Sequence, residues 1–157
     1  MTMRFLCFFL SFGLIISSSL ATPALTTLQG TKISLTELKG QWVVINYWAS
    51  WCAPCLAEIK ALNQFYQQKP KNVLLFGVNF EDTSAAHQQQ LTKQLHIMYP
   101  NLRDNPQTLL KLGEIKGVPV TFILNPQGQL QTTLYGPQTL KTLSSAVREF
   151  KRDYYAK

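Results

Sequence analysis

A near-continuous run of β-forming apolar residues, Trp42–Trp48 (WVVINYW), is followed four positions later by the first of two closely spaced cysteines, Cys52 and Cys55. An unbroken apolar run of this length indicates a strand buried on both faces of a sheet. From Pro54 to about Gln68 the apolar residues recur at helical spacing, which predicts a helix directly after the cysteine turn. A buried strand that leads into a helix restricts the chain to an α/β architecture.

The rest of the chain continues this alternation and ends with an antiparallel pair of strands. Residues 73–79 (VLLFGVN) predict a second buried strand, and Ser84 is expected to cap a polar helix that extends to about Leu95. The pattern predicts three smaller or terminal elements, which are a strand at 32–35, a helix at 108–112 and an amphipathic helix at 140–154. It also predicts a hairpin, with strands at 120–124 and 130–134 around the turn residues at 125–128. We therefore expect a mixed sheet with helices on both faces.

The N-terminal residues have the features of a secretory signal. Arg4 precedes an apolar run over residues 5–16, and small residues follow at Ser19 and Ala21. We expect cleavage after Ala21 and not retention as an anchor, because a helix needs about 20 apolar residues to span a bilayer and this stretch is shorter. An uncleaved anchor is the alternative, with the membrane association that it implies. Either outcome places the protein in the periplasm, where disulfides form.

The remaining chain, residues 25–157, is long enough for one domain with one core. Cys7 lies in the leader and is expected to be lost with it. Removal of the leader lowers the formal net charge from +7 to +6. The basic residues are scattered, which favours a solvated surface with mild attraction to anionic membranes over nucleic-acid binding. The one local cluster consists of Arg148, Lys151 and Arg152.

The position of the cysteines favours redox chemistry. Cys52 is predicted to lie at a helix N-terminus, where free N–H groups and the helix dipole stabilise a thiolate. Cys55 would then resolve the mixed disulfide that Cys52 forms. A bridge of such short span adds little stability. A metal site is the alternative, but it needs at least three ligands, and His87 and His96 are expected to be surface residues.

Two segments resemble the thioredoxin superfamily. Residues 48–55 (WASWCAPC) are similar to its active-site motif, and residues 117–124 (GVPVTFIL) are similar to its proline loop and the strand after it. The likeness extends from Gln41 to the last helix. It implies a cis peptide bond between Val118 and Pro119 that faces the cysteine pair.

Within the superfamily the chain is most similar to exported TlpA/ResA-type thiol–disulfide oxidoreductases. The leader, the continuation from Cys55 to Glu58 (CLAE) and an extra segment between residues 79 and 119 support this likeness. The resemblance implies a thioredoxin fold with a helix-containing insertion before the cis-Pro loop. It implies protein thiol or disulfide substrates, a membrane-bound redox partner and no bound cofactor or metal, because the disulfide itself carries two electrons.

The resemblance also implies roles for single residues. Cys52 attacks and Cys55 resolves, and Glu58 matches a glutamate of this branch that serves near the active site. An ordinary acid that complements the helix dipole is the alternative for Glu58. If it is buried, its pKa should rise and it could carry a proton for Cys55. The residues expected to contact substrate are Trp51, Ala53, Pro54, Val118 and Pro119.

Three further residues near the motif are interpreted more conservatively. Asn46 stands where cytosolic thioredoxins carry a buried Asp that moves protons, a task that Asn cannot perform. Trp48 is expected in the core. The segment Phe80–Asp82 is expected to be a loop before a capped helix, without a catalytic role.

The direction of electron flow is predicted from the Ala53-Pro54 dipeptide, which resembles that of reductive members and implies a role like that in cytochrome c maturation. A disulfide oxidase or isomerase is the first alternative, because this dipeptide tunes the potential over a wide range. A non-catalytic binding module or Cu(I) carrier is the second, because two thiolates suit that soft ion.

Overall fold

The computed structural model describes residues 23–156, and the predicted leader at residues 1–21 lies outside them. The elements in chain order are β1 (Ala24–Thr26), β2 (Lys32–Ser34), β3 (Trp42–Trp48), α1 (Ala53–Gln67), β4 (Val73–Asn79), α2 (Ala85–Gln94), β5 (Asn101–Leu102), β6 (Val120–Leu124), β7 (Leu130–Tyr135) and α3 (Leu140–Tyr155). Among these described residues, every helix is too short or too polar to cross a membrane.

The main sheet is mixed and has the strand order β5-β4-β3-β6-β7. The central strand β3 pairs in parallel with β4 and antiparallel with β6, and all seven of its residues are buried. β6 and β7 form the antiparallel hairpin that the turn residues predicted. The parallel pairing places the carboxyl ends of β3 and β4 side by side, where α/β proteins assemble their sites.

The three helices lie on one face of this sheet. Side chains from α1 and α3 pack on the even-numbered residues of β3 and on neighbouring strands, in a cluster that includes Trp42, Val44, Leu62, Ile123 and Leu143. α2 contributes Leu91 and Leu95 to a smaller cluster around Trp48, which lies on the same face of β3. Ser84 caps α2 as expected, because its hydroxyl accepts the backbone N–H of His87 at 3.2 Å.

The opposite face differs from the prediction, because no helical residue belongs to its hydrophobic cluster in the part of the chain that the structure describes. The β1–β2 hairpin and residues 103–118 cover it instead. The helix predicted at 108–112 is wrong, since this segment forms turns in which Lys111 has a positive φ of 52°. So short a segment gains too few helical hydrogen bonds to offset the cost of nucleation.

Two short strands were not predicted. β1 has three residues and β5 has two, which is too few for alternation to be visible in the sequence. Hydrogen bonds next to these two strands join the β1–β2 hairpin to the edge of the main sheet. The Leu28 N–H donates to the Asn101 carbonyl oxygen at 2.8 Å, and the Arg103 N–H donates to the Thr26 carbonyl oxygen at 2.8 Å. The edge of β5 is thereby covered.

Candidate active site

The turn between β3 and α1 presents the cysteine pair at the start of the helix. Cys52 is the N-cap of α1 and is joined to Cys55 by a disulfide, with the two Cα atoms 5.2 Å apart. The backbone N–H of Cys55 donates to the Sγ of Cys52 at 3.2 Å. The first cysteine therefore lies at a helix N-terminus, as predicted, where an N–H group points at its sulfur.

The two cysteines differ slightly in solvent exposure. Cys55 is fully buried and Cys52 is 5% exposed, whereas Trp51 beside them is 68% exposed. Ala53 and Pro54 are also exposed. A partner molecule would therefore reach Cys52 first, past a rim formed by Trp51, Ala53 and Pro54.

The proline loop lies against the cysteine pair. The Val118–Pro119 peptide bond is cis, as the resemblance implied. The carbonyl oxygen of Val118 lies 3.6 Å from the Sγ of Cys52. The N–H of Gly136 donates to the Pro119 carbonyl oxygen at 3.0 Å, which connects this loop to the segment between β7 and α3.

Glu58 is buried on the inner side of α1, one turn after Cys55. Its Oε1 accepts a hydrogen bond from Asn46 Nδ2 at 2.7 Å, and its Oε2 accepts the Gln138 backbone N–H at 2.6 Å. Burial raises the pKa of Glu58 from 4.5 to about 7, although the hydrogen bonds from Gln138 and Asn46 lower it. The carboxyl group can therefore gain or lose a proton near neutral pH.

Asn46 connects Glu58 to the sheet. Its Nδ2 also donates to Thr121 Oγ1 at 3.1 Å, so one amide group contacts α1 and β6. Its buried Oδ1 has no hydrogen-bond partner among the described residues. The same is true of the Tyr99 hydroxyl, whose pKa is raised by burial and, secondarily, by the charge of Glu58. Glu58 thus lies in a small buried polar region.

Glu81 holds the turn that leads to Cys52. Its Oε2 accepts the Ser50 backbone N–H and Asn79 Nδ2, and its Oε1 accepts the Ser50 hydroxyl, all at 2.9 Å. Burial raises the pKa of Glu81, but these hydrogen bonds and the nearby His87 outweigh it, so that the pKa is below its ordinary value. The carboxylate is therefore ionised at neutral pH and fixes Ser50 two positions before the first cysteine.

The structure brings the predicted site residues together at one end of the sheet. The residues that surround the disulfide are Trp51, Ala53, Pro54, Val118 and Pro119, while Glu58 lies inside the domain behind Cys55. Trp48 is fully buried, as expected, and both His87 and His96 are exposed at the surface, as expected. Over residues 23–156, no three His, Cys, Asp or Glu side chains gather where they could share a metal ion.

Sequence reasoning missed two contacts of this site. Glu81 lies in the loop that the sequence predicts without a catalytic role, but its hydrogen bonds to Ser50 are not predicted, although its position after the carboxyl end of β4 is a usable signal. The Gln138 N–H is a backbone group in a loop far along the chain, and no side-chain pattern indicates it. Asn46 was noted only as a departure from thioredoxin, whereas it is the direct donor to Glu58.

The five-stranded mixed sheet and a disulfide at the start of α1, beside a cis-proline loop, define a thiol–disulfide oxidoreductase of the thioredoxin fold. The chain belongs to the AhpC/TSA family, which residues 18–133 match.

Relatives of known activity agree with this class. The chain is 31% identical over 135 residues to sporulation thiol-disulfide oxidoreductase A of Bacillus subtilis (strain 168), a match that covers 82% of this chain and 81% of that protein. It is 28% identical over 125 residues to thiol-disulfide oxidoreductase ResA of Bacillus cereus, over 79% of this chain and 72% of that one. The crystal structure of StoA from Bacillus subtilis superimposes with a TM-score of 0.67 at 29% identity, over 80% of this chain and 95% of that one. The chain is therefore an enzyme of the ResA/StoA type.

Proposed function

We propose that the protein is an exported, periplasmic oxidoreductase that reduces disulfides of protein substrates. The observation that carries the proposed disulfide exchange is the geometry at Cys52, where the Cys55 N–H points at the sulfur of the less deeply buried cysteine; the reductive direction rests on the Ala53-Pro54 dipeptide and the likeness to ResA. Removal of residues 1–21 as a signal, or their retention as an anchor, would place this site outside the cytoplasm.

In the proposed reaction, the Cys52 thiolate attacks one sulfur of the substrate disulfide. A mixed disulfide forms and one substrate thiolate leaves. Cys55, deprotonated, then attacks the Sγ of Cys52 and releases the second substrate thiolate. The substrate gains two electrons from the two cysteines, its two thiolates take up protons from water, and the enzyme ends with the Cys52–Cys55 bond seen in the structure.

Glu58 is proposed to accept the proton that Cys55 loses in the second step. It follows Cys55 by three residues on one face of α1. Burial raises its pKa to about 7, so that it can accept a proton near neutral pH. The substrate would be held by the exposed rim at Trp51, Ala53 and Pro54 and by Val118 and Pro119, with no bound cofactor.

The reductive direction is supported by the Ala53-Pro54 dipeptide and by the likeness to ResA, which together favour a role like that in cytochrome c maturation. A membrane-bound protein would then return the pair to the dithiol state. One observation favours a second candidate, a disulfide oxidase or isomerase. The Cys55 N–H also stabilises a Cys52 thiolate, and stabilisation of the reduced form makes a disulfide more oxidising.

A trapping experiment tests the proposed roles of the two cysteines. In the Cys55→Ser variant, the mixed disulfide with a model protein disulfide should accumulate, because nothing resolves it. The Cys52→Ser variant should form no such adduct, because Cys55 is fully buried. The measurement is a mass spectrum of the reaction after acid quenching. Adducts on Cys55 alone, or tight Cu(I) binding without any turnover, would contradict the proposal.

A further inference from the structure

Four basic side chains lie around Pro70, and together they are called the basic end. Lys69 and Lys71 flank Pro70 in the turn after α1, while Arg148 and Lys151 belong to α3. Lys151 Nζ donates to the Lys71 carbonyl oxygen at 2.6 Å. Arg148, Lys151 and Pro70 line one cavity of about 330 Å³.

The positive charge of the basic end is only partly offset. The salt bridges between described residues include none of its four side chains. Asp153 on the same helix pairs with Arg152 at 3.1 Å. Two acids remain near the four basic side chains, Glu149 beside Arg148 in sequence and Glu37, which lines a cavity with Lys69. The region therefore carries a net positive charge that is exposed to solvent.

The basic end and the redox pair lie at opposite ends of α1. The helix starts directly after Cys52 and has 15 residues, so it is about 22 Å long at 1.5 Å per residue. Lys69 follows its last residue by two positions. A surface that binds the basic end therefore leaves the cysteine pair on the far side of the domain.

The first described residue, Pro23, lies near the same end. Its carbonyl oxygen accepts the Leu35 N–H at 3.3 Å. Ile33 and Glu37, on either side of Leu35, line a cavity of about 440 Å³ together with Lys69 and Pro70. Pro23 thus lies beside the strand segment that borders the cavity of Lys69 and Pro70.

Exposed tyrosines accompany these charges. Tyr66 lines the same cavity as Lys69 and is 37% exposed, and Tyr155, at the end of α3, is 60% exposed. Basic side chains are attracted to anionic lipid headgroups, and tyrosine is favoured at the level of those headgroups. Charge and aromatic side chains at this end therefore match one kind of partner, an anionic phospholipid surface.

We propose that the basic end binds the anionic surface of the membrane and orients the domain so that Cys52 faces away from the lipid. The protein would then present its redox pair to substrates in the aqueous compartment, whether or not the leader is cleaved. The inference rests on the proposed export of the protein, but lipid binding and disulfide reduction can be measured separately.

The test compares vesicles of phosphatidylcholine alone with vesicles that contain an equal share of phosphatidylglycerol. The protein is the form isolated from the periplasm, and co-sedimentation gives its partition coefficient. Binding should require the anionic lipid and weaken as salt is added. The double variant Lys69→Gln, Arg148→Gln should bind about fivefold less tightly for each charge removed.

A charge-matched control separates position from net charge. Lys116 and Lys141 are exposed near the redox end, so the variant Lys116→Gln, Lys141→Gln should bind vesicles as the wild type does. Both variants should keep the wild-type melting temperature and rate of disulfide reduction. The Lys69 and Arg148 substitutions leave the hydrogen bond between Lys151 and Lys71 in place.

Three results would overturn the proposal. Equal binding to neutral and anionic vesicles would show that charge does not matter. Equal weakening in both double variants would show that position does not matter. Absence of vesicle binding by the wild type, with disulfide reduction intact, would refute the lipid surface and leave the proposed reductase standing.

Discussion

Glu58 is a carboxyl group with almost no access to water, and two N–H groups donate to its oxygens. Burial raises its pKa from 4.5 to about 7, so the folded protein binds this proton more tightly than the unfolded chain does. The group therefore stabilises the fold fully below pH 4.5, and this stabilisation is lost as the pH rises to about 7.

The Glu58→Gln variant should lose this pH dependence. In the oxidised wild type, whose cysteines do not titrate, the free energy of unfolding should fall by at most about 3 kcal/mol over that interval. Urea unfolding at several pH values measures it. The Glu149→Gln variant, on the exposed side of α3, should keep the wild-type slope. Parallel curves for the wild type and Glu58→Gln would show that Glu58 titrates normally.

Glu81 provides a second prediction at this scale. A glutamine has one acceptor oxygen, so Glu81→Gln cannot accept all three hydrogen bonds from Ser50 and Asn79. We expect a loss of about 1 to 2 kcal/mol in stability and slower disulfide exchange, because the turn before Cys52 loosens. Asp82→Asn, at the exposed neighbouring position, should alter neither the melt nor the exchange rate. Identical behaviour of the two variants would argue against the role of Glu81.

Single residues were predictable where the motif is local. Cys52 and Cys55 follow from their spacing at a predicted helix start, whereas Pro119 and Glu58 follow from the resemblance to the thioredoxin superfamily and its TlpA/ResA-type branch. Glu81 was not predictable in the same way, because it is 31 residues from Ser50 and meets it only through the parallel pairing of β3 with β4. The Gln138 N–H, 80 residues from Glu58, depends on tertiary structure alone.

At the scale of elements, the long ones were predicted with nearly correct bounds, whereas among the short ones only β2 was predicted. The seven-residue strands β3 and β4 and the helices α1 and α3 have enough residues to show a period, and their observed bounds differ from the predicted ones by at most one residue. The segment at 108–112 is too short for helical bonds to outweigh local turns, and the strands β1 and β5 are too short to detect. The covering of the second face of the sheet could not be predicted, because the β1–β2 hairpin and residues 103–118 that cover it contain only short strands and turns.

Gly77 in β4 illustrates how one element supports the site. A Cβ atom there would lie 2.4 Å from Oδ1 of Asn101, the atom that accepts the Trp48 Nε1–H at 2.8 Å. Gly77→Ala should therefore push Asn101 away, lower the stability by about 1 to 3 kcal/mol and change the fluorescence of buried Trp48. Chemical unfolding followed by tryptophan emission measures both effects.

Gly117→Ala is the matched control for that substitution, because no atom lies within 4 Å of the added Cβ and the backbone φ is not positive. It should unfold as the wild type does. Unchanged stability and unchanged Trp48 emission in Gly77→Ala would contradict this account. They would show that the close contact between Gly77 and Asn101 is not needed to hold Trp48 in place.

At the scale of the whole molecule, the chemistry is polarised along one axis. The cysteine pair, the cis-proline loop and Glu81 lie where β3 and β4 end, whereas the basic end lies beyond the C-terminus of α1. Pro23, the first described residue, also lies near the basic end. Such an arrangement suits a protein that meets a surface with one end and a disulfide-bonded partner with the other.

Donation of electrons from the Cys52–Cys55 pair to protein disulfides is tested most directly by the equilibrium reduction potential of the pair, measured against glutathione or a thioredoxin standard. A reductant predicts a value near that of thioredoxin, about −270 mV. A value near that of the strong periplasmic oxidant, about −120 mV, would mean that the dithiol is the stable form and would contradict the reductive role.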